Sequence, residues 1–153
     1  MQEGIERLTC LRTLGRVIVS GDKKACKFEC LRNLNHLRNL AMECKGVDVG
    51  EINKAEFKNK TKLICLGIEL SSSNTNEEAL EDFQPPPNLE QLGLSSYRGA
   101  SRLSLNWMMS ITKLRKLSQR RWSGFERLSL GNCHVLNLLR LSLIGVWVMN
   151  LWE

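Results

Sequence analysis

Residues 31–42 read LRNLNHLRNLAM and place a leucine at every third position until the spacing shortens to two between Leu40 and Met42. A period of three does not fit a long α-helix, because each step moves the apolar stripe by about 60° around the helix axis. It does not fit a β-strand either, since side chains along a strand alternate with a period of two. A chain that turns and then extends explains both spacings.

The spacing of three recurs along the chain in IERLTCLRTL and ITKLRKL, and LICLGIEL, LEQLGL and LLRLSL also show the change from three to two. The leucines that begin the extended parts are 26, 26, 26, 25 and 24 residues apart: Leu14, Leu40, Leu66, Leu92, Leu117 and Leu141. A fixed period of 20 to about 29 residues around an LxxLxL core is typical of leucine-rich repeats. The sequence therefore predicts an α/β leucine-rich-repeat solenoid (horseshoe) over residues 1–153. We expect about six repeats, a parallel concave sheet, an irregular or short-helical convex side, and the six leucines buried in one stack.

Two segments between the predicted strands carry helix signals. Residues 50–60, GEINKAEFKNK, are rich in helix-forming residues and are predicted to form a short helix. Thr75 and Glu78 have the spacing of a capping box, which predicts a second helix start that Pro85 would end.

Two repeat registers compete after residue 100. The tetrapeptide RLSL occurs three times, and the copy at 127–130 is out of phase because Leu128 lies only 11 residues beyond Leu117. We expect the register to continue from Leu117 to Leu141, since this preserves the earlier spacing. It places Gln119 at an inward position, where a buried, unpaired amide costs about 1 to 3 kcal/mol.

Composition argues against several classes of protein. The chain has 22 basic and 16 acidic residues, but these are dispersed, so nucleic-acid binding is not expected. No apolar stretch is long enough for a membrane span and no secretory signal begins the sequence, so we expect a cytoplasmic, intracellular protein. Six cysteines without a CxxC pair and only two histidines give no metal site. No set of catalytic residues and no GxxxxGK[ST] loop is recognisable, so we expect neither an enzyme, nor a cofactor, nor a nucleotide-binding domain.

Several motifs resemble the leucine-rich-repeat region of plant coiled-coil nucleotide-binding leucine-rich-repeat (NB-LRR) disease-resistance proteins. They are IERLTCLRTLGRVIVS, CLRNLNHLRNL, KAEFKNKTKL, QPPPNLEQLGLSSYRG and NWMMSITKLRKLS, which fall within residues 1 to 122, and the similarity returns at LRLSLIGVWVM. The resemblance implies a protein-interaction module in plant defence that recognises a pathogen effector or a modified host protein. It also implies regulation of a nucleotide-binding switch domain, in which full-length relatives bind ADP or ATP and for which this sequence carries no motif.

Two alternatives to this function stay open at the level of sequence. The repeats could be the substrate-binding module of another system, for example a ubiquitin-ligase adapter. The chain could also be a degenerate fragment without activity of its own.

The alternation of strand side chains predicts which residues line the concave surface. If Leu40 and Met42 point inward, Ala41 points outward. The same assignment in the other repeats gives three columns of candidate partner-binding residues: Asn39, Gln91, Lys116 and Arg140; Ala41, Gly67, Gly93, Ser118 and Ser142; and Glu43, Glu69, Ser95 and Arg120. The columns change from acidic to basic along the array, which predicts that charge orients a protein partner. In the first repeat, Arg16 falls where an inward residue belongs.

Overall fold

The computed structural model describes residues 4–70, 80, 82–96, 102–104, 107, 110–120, 127–129 and 140–143. Its strands are β1 (Thr13–Ser20), β2 (Asn39–Lys45), β3 (Cys65–Leu70), β4 (Gln91–Ser95), β5 (Arg102–Ser104), β6 (Lys116–Arg120), β7 (Arg127–Ser129) and β8 (Arg140–Leu143). Within this part of the chain, β1, β2, β3, β4, β6 and β8 form one six-stranded sheet in that order, and β5 pairs with β7. Every pairing is parallel.

The leucine series predicted from the sequence sets the register of the six-stranded sheet. Each leucine of the series lies beside the next one: Leu14, Leu40, Leu66, Leu92, Leu117 and Leu141. Leu40, Leu66 and Leu92 are buried, as predicted. Leu14 is only half-buried, which corrects the expectation for the first repeat. The reason is that β1 has a neighbouring strand on one side alone within the described chain.

Both RLSL registers are present, but in different sheets. β6 and β8 continue the six-stranded sheet as predicted, so Gln119 lies opposite Leu94 on one side and Leu143 on the other. β5 and β7 form a separate pair in which Leu103 lies beside Leu128. The out-of-phase copies therefore belong to a second row of strands and do not compete with the first.

The period-three stretches form the turns that lead into the strands. The carbonyl oxygen of Arg12 accepts hydrogen bonds from the backbone N–H groups of Arg38 (2.7 Å) and Asn39 (3.2 Å), and the carbonyls of Arg38, Ile64 and Glu90 repeat this double acceptance in the next turns. Leu8 of the first stretch is exposed and Leu11 is half-buried, whereas the apolar residues that repeat every third position in the later turns are buried: Leu31, Leu34, Leu37, Leu63, Leu89, Ile111 and Leu114. Each turn is therefore fastened to the next one by the same pair of backbone hydrogen bonds.

The helix predicted over 50–60 forms as two 3-10 helices, Val49–Ala55 and Phe57–Asn59. Asp48 caps the first, because its side chain accepts the Gly50 N–H at 2.9 Å. Glu56 separates the two helices in the left-handed conformation, with φ 52°. The helix start predicted at Thr75 lies outside the described residues.

An aromatic row packs behind the sheet. The rings of Phe57 and Phe83 meet edge to face at 5.8 Å between centroids, and those of Phe83 and Trp107 at 5.0 Å. Trp107 donates its indole N–H to the carbonyl oxygen of Leu80 at 2.6 Å. The polar edge of the buried indole is thereby satisfied, as a buried tryptophan requires.

The charged side chain of Lys60, which directly follows the 3-10 helix Phe57–Asn59, is fully buried. Its ammonium group donates to the carbonyl oxygens of Leu31 (2.7 Å) and Arg32 (3.0 Å) and to Oδ1 of Asn35 (3.4 Å). Burial lowers the pKa of Lys60 to about 8, while the Glu56 carboxylate opposes this shift. Lys60 therefore ties one inter-strand connection to the turn that precedes it by about 29 residues.

Candidate partner-binding face

The candidate residues lie at aligned positions on neighbouring strands of the six-stranded sheet. The parallel register brings them together as three rows across the strands: Asn39, Gln91, Lys116 and Arg140; Ala41, Gly67, Gly93, Ser118 and Ser142; and Glu43, Glu69, Ser95 and Arg120. Cys65 of β3 stands in the first row between Asn39 and Gln91. We call this set of residues the open face.

Burial alternates along the strands as the assignment of an open face requires. In β2, Leu40 and Met42 are buried, whereas Asn39 is exposed and Ala41 is half-buried. The burial patterns of β3 and β4 repeat this alternation. For Ser118, Arg120, Arg140 and Ser142, the placement rests on the backbone register.

The middle row of the open face is low, and two shallow depressions of about 240 and 300 Å³ run along it. Packing does not require this. A Cβ added to Gly67 would lie 3.7 Å from the Cβ of Ala41, an ordinary van der Waals contact. Glycine weakens the interior of a strand and often marks the close approach of another backbone or a ligand. The fold alone therefore does not explain why the middle row of the open face has such small residues.

Glu43 is not an exposed acidic group, which corrects the predicted acidic end of the face. Its Oε2 accepts both Nε (3.1 Å) and Nη2 of Arg16, and its Oε1 lies 2.9 Å from Nζ of Lys45. Only 7% of the Glu43 side chain is exposed. Lys45 and then Arg16 lower the pKa of Glu43, since both cations stabilise the carboxylate. The acidic contribution to the open face is consequently reduced to Glu69.

Arg16 reaches Glu43 because β1 contains a β-bulge. The register shifts between Leu14 and Val17, so that Val17 lies beside Met42 and Ile18 beside Glu43. Val17 thus occupies the inward position that the sequence pattern assigned to Arg16, and 66% of the Arg16 side chain is exposed. A bulge inserts one extra residue into one strand. The alternation of Val17 and Val19 was the signal in the sequence that could have located it.

Neither a metal site nor a membrane span is found in the part of the chain that the structure describes. Within the described ranges, no three His, Cys, Asp or Glu side chains converge on a position that could hold a metal ion. No helix among the same residues is long and apolar enough to cross a membrane.

Parallel strands in a leucine register, turns of period three and an aligned open face define a leucine-rich-repeat protein of α/β class. A comparison with protein families matches residues 28–144 to the R13L1/DRL21 LRRs. The chain belongs to this family, which comprises leucine-rich-repeat regions of plant NB-LRR resistance proteins. The match confirms the resemblance and continues beyond residue 122. A search of curated protein sequences gives no match.

Proposed function

We propose that the chain is a protein-interaction module of the plant defence response that acts through the open face. Its partner is a pathogen effector, a modified host protein or the nucleotide-binding domain of a resistance protein, and the contact regulates that switch domain. The six-stranded sheet forms the concave side of a curved solenoid of about six repeats, which works in the cytoplasm without catalysis or a cofactor. Family membership supports the interaction role, since leucine-rich-repeat modules mediate protein–protein contacts.

The observation that carries the proposal is the low middle row between two polar rows. Gly67 and Gly93 lie side by side in β3 and β4, and Ala41 continues the row in β2. Because a Cβ at Gly67 would fit, the backbone there is left accessible without any need from packing. A partner segment can approach this backbone closely while its side chains reach the polar rows on either side.

Charge on the open face supports a partner of mixed charge. At the β1 end, Arg16 is two-thirds exposed even though it holds Glu43, so its guanidinium can still meet a carboxylate of the partner. Glu69 is half-buried in β3, and Lys116 is exposed in β6. Such an arrangement favours one orientation of the partner over its reverse.

The test fills the low row at Gly67 and measures binding of a defined probe, the nucleotide-binding domain of a resistance protein of this family. Gly67→Leu should weaken binding at least roughly tenfold, since a branched side chain blocks close approach. Gly67→Ala should weaken it less, because one methyl group adds little height. Lys58→Leu is the matched control, since Lys58 is exposed on a 3-10 helix outside the sheet.

Folding of each variant is checked by its thermal melting curve. Equal binding by wild type, Gly67→Leu and Lys58→Leu would show that the open face is not the recognition surface. Failure of the wild-type chain to bind would exclude that domain as the partner.

A further inference from the structure

The turns that lead into the strands form a second surface, distinct from the open face. In each turn, two residues flank an apolar residue that is half-buried in the first turn and buried in the others, and equivalent pairs stand side by side in consecutive turns. The pairs are Cys10 and Arg12, His36 and Arg38, Lys62 and Ile64, Asn88 and Glu90, and Lys113 and Arg115. We call these residues the amino-terminal rim, because they border the ends at which the strands begin.

The amino-terminal rim is strongly basic. Its cationic side chains are all exposed: Arg12, Arg38, Lys62, Lys113 and Arg115. Its single carboxylate, Glu90, is half-buried. The ion pairs within the described ranges use other cations, namely Arg16, Arg32, Lys45 and Lys54. Within that part of the chain, no rim cation therefore forms an ion pair with a carboxylate, and Lys113 donates a hydrogen bond to Oδ1 of Asn88 at 2.8 Å.

The spacing of the rim cations fits a ligand that crosses the turns. Neighbouring strands of a sheet are about 4.8 Å apart, so five consecutive turns span about 19 Å. Arg12, Arg38 and Lys62 occupy three adjacent turns, and Lys113 and Arg115 share the fifth. Like charges on neighbouring strands repel one another, so the fold gains no stability from this arrangement. An anionic ligand along the rim would remove the repulsion.

We propose that the amino-terminal rim binds an acidic, extended polypeptide segment of a partner protein. An extended chain advances about 3.3 Å per residue, so roughly six residues cover the rim. The rim cations form two basic groups, Arg12 with Arg38 and Lys62, and Lys113 with Arg115. Carboxylates near the two ends of such a segment would each meet one of these groups. The backbone carbonyls of Arg12, Arg38, Ile64 and Glu90 already accept two hydrogen bonds each, so recognition rests on the side chains.

Nucleic acid fits the amino-terminal rim less well than an acidic peptide does. Single strands bind through aromatic residues on which bases stack, together with a basic groove. The aromatic residues for which the structure describes the side chain are all buried: Phe28, Phe57, Phe83 and Trp107. Glu90 also stands between the two basic groups, where it would repel a continuous line of phosphates.

The experiment measures fluorescence anisotropy of a fluorescein-labelled octaglutamate peptide titrated with the full chain at low ionic strength. Two double variants remove charge from the two basic groups: Arg12→Gln with Arg38→Gln, and Lys113→Gln with Arg115→Gln. Lys23→Gln with Lys24→Gln is the matched control, since both lysines are exposed in the turn after β1, at the opposite end of the strand. Each rim variant should weaken binding roughly fivefold or more, and the control less than about twofold.

The substituted side chains are exposed, and melting curves confirm that every variant folds. Glu90→Gln should tighten binding, because it removes the one repulsive charge on the rim. Equal losses from the rim variants and the lysine control would overturn the proposal, since they would show only unspecific attraction by net charge. Tighter binding of an oligothymidylate of equal charge, lost in the rim variants, would overturn it in favour of nucleic acid. These outcomes are independent of the Gly67 experiment, because no rim residue belongs to the open face.

Discussion

Replacing Lys60 by methionine tests whether the buried ammonium is held by its carbonyl cage. Methionine has a similar length but donates no hydrogen bond, so it removes the three hydrogen bonds that Lys60 donates. The bond to the Leu31 carbonyl is fully buried, but this carbonyl also accepts the Leu34 N–H at 3.1 Å, so losing the Lys60 donor costs about 1 kcal/mol, the net value of one hydrogen bond. The bonds to Arg32 and Asn35 are only partly buried, so water can replace the donor there at a smaller cost.

The pH dependence of this substitution separates the hydrogen bonds from the charge. Burial lowers the pKa of Lys60 from 10.5 to about 8, so between these values the unfolded chain binds a proton that the folded chain does not. Stability contributed by Lys60 therefore rises with pH, is complete above about 10.5, and is lost as the pH falls through about 8. From pH 7 to pH 9 the wild-type chain should gain about 1 kcal/mol relative to Lys60→Met.

The assay is urea unfolding of both chains, followed by circular dichroism at pH 7 and pH 9 under reducing conditions. Taking the difference between the two chains at each pH cancels titrations that they share. Among these are the thiols of Cys26 and Cys44, whose pKa values burial raises to about 12. A destabilisation by Lys60→Met that is equal at both pH values, or larger at pH 7, would refute the reasoning. It would mean that the three acceptors stabilise the ammonium at least as much as burial disfavours it.

Two further substitutions test the register and the charge cluster at the β1 end. Leu66→Asp places a charge at a buried position and should abolish cooperative melting. Cys65→Asp is the control, since Cys65 is half-buried on the open face, and it should still melt cooperatively. A cooperatively melting Leu66→Asp chain would contradict the register. Glu43→Gln should lower stability at neutral pH, because it leaves Arg16 and Lys45 without their shared carboxylate. Because the pKa of Glu43 is lowered on folding, its contribution to stability is complete above about pH 4.5. This contribution disappears as the pH falls through the lower pKa of the folded state. The wild-type and Glu43→Gln unfolding curves should therefore converge in acid.

The register of the six-stranded sheet could be predicted from the sequence because two local rules determine it. A repeat of nearly constant length places Leu40, Leu66 and Leu92 in equivalent positions, and the period of two within a strand then assigns Ala41 and Gly67 to the open face. Neither rule needs knowledge of what a side chain contacts elsewhere in the molecule.

The features that the sequence did not reveal depend on contacts between repeats. Glu43 was predicted to be an exposed acidic residue because strand alternation takes no account of Arg16, which the bulge in β1 turns toward it. Lys60 lies in a polar segment, and its carbonyl partners are in the preceding repeat. The second row of strands was hidden for a related reason: Leu103 and Leu128 follow the same spacing as the main series, and spacing alone does not say which sheet a strand joins.

The paired hydrogen bonds at the carbonyls of Arg12, Arg38, Ile64 and Glu90 join each repeat to the next in the same way, so the repeats are interchangeable units. Each carbonyl meets only the turn immediately after it, so duplication or loss of one whole unit, such as residues 39–64, would recreate the same bonds at the new junction. An insertion of any other length into a strand would shift all later leucines out of phase. Genetic exchange in whole units could therefore lengthen or shorten the open face, and redistribute the charges on it, while the turns that support it stay unchanged.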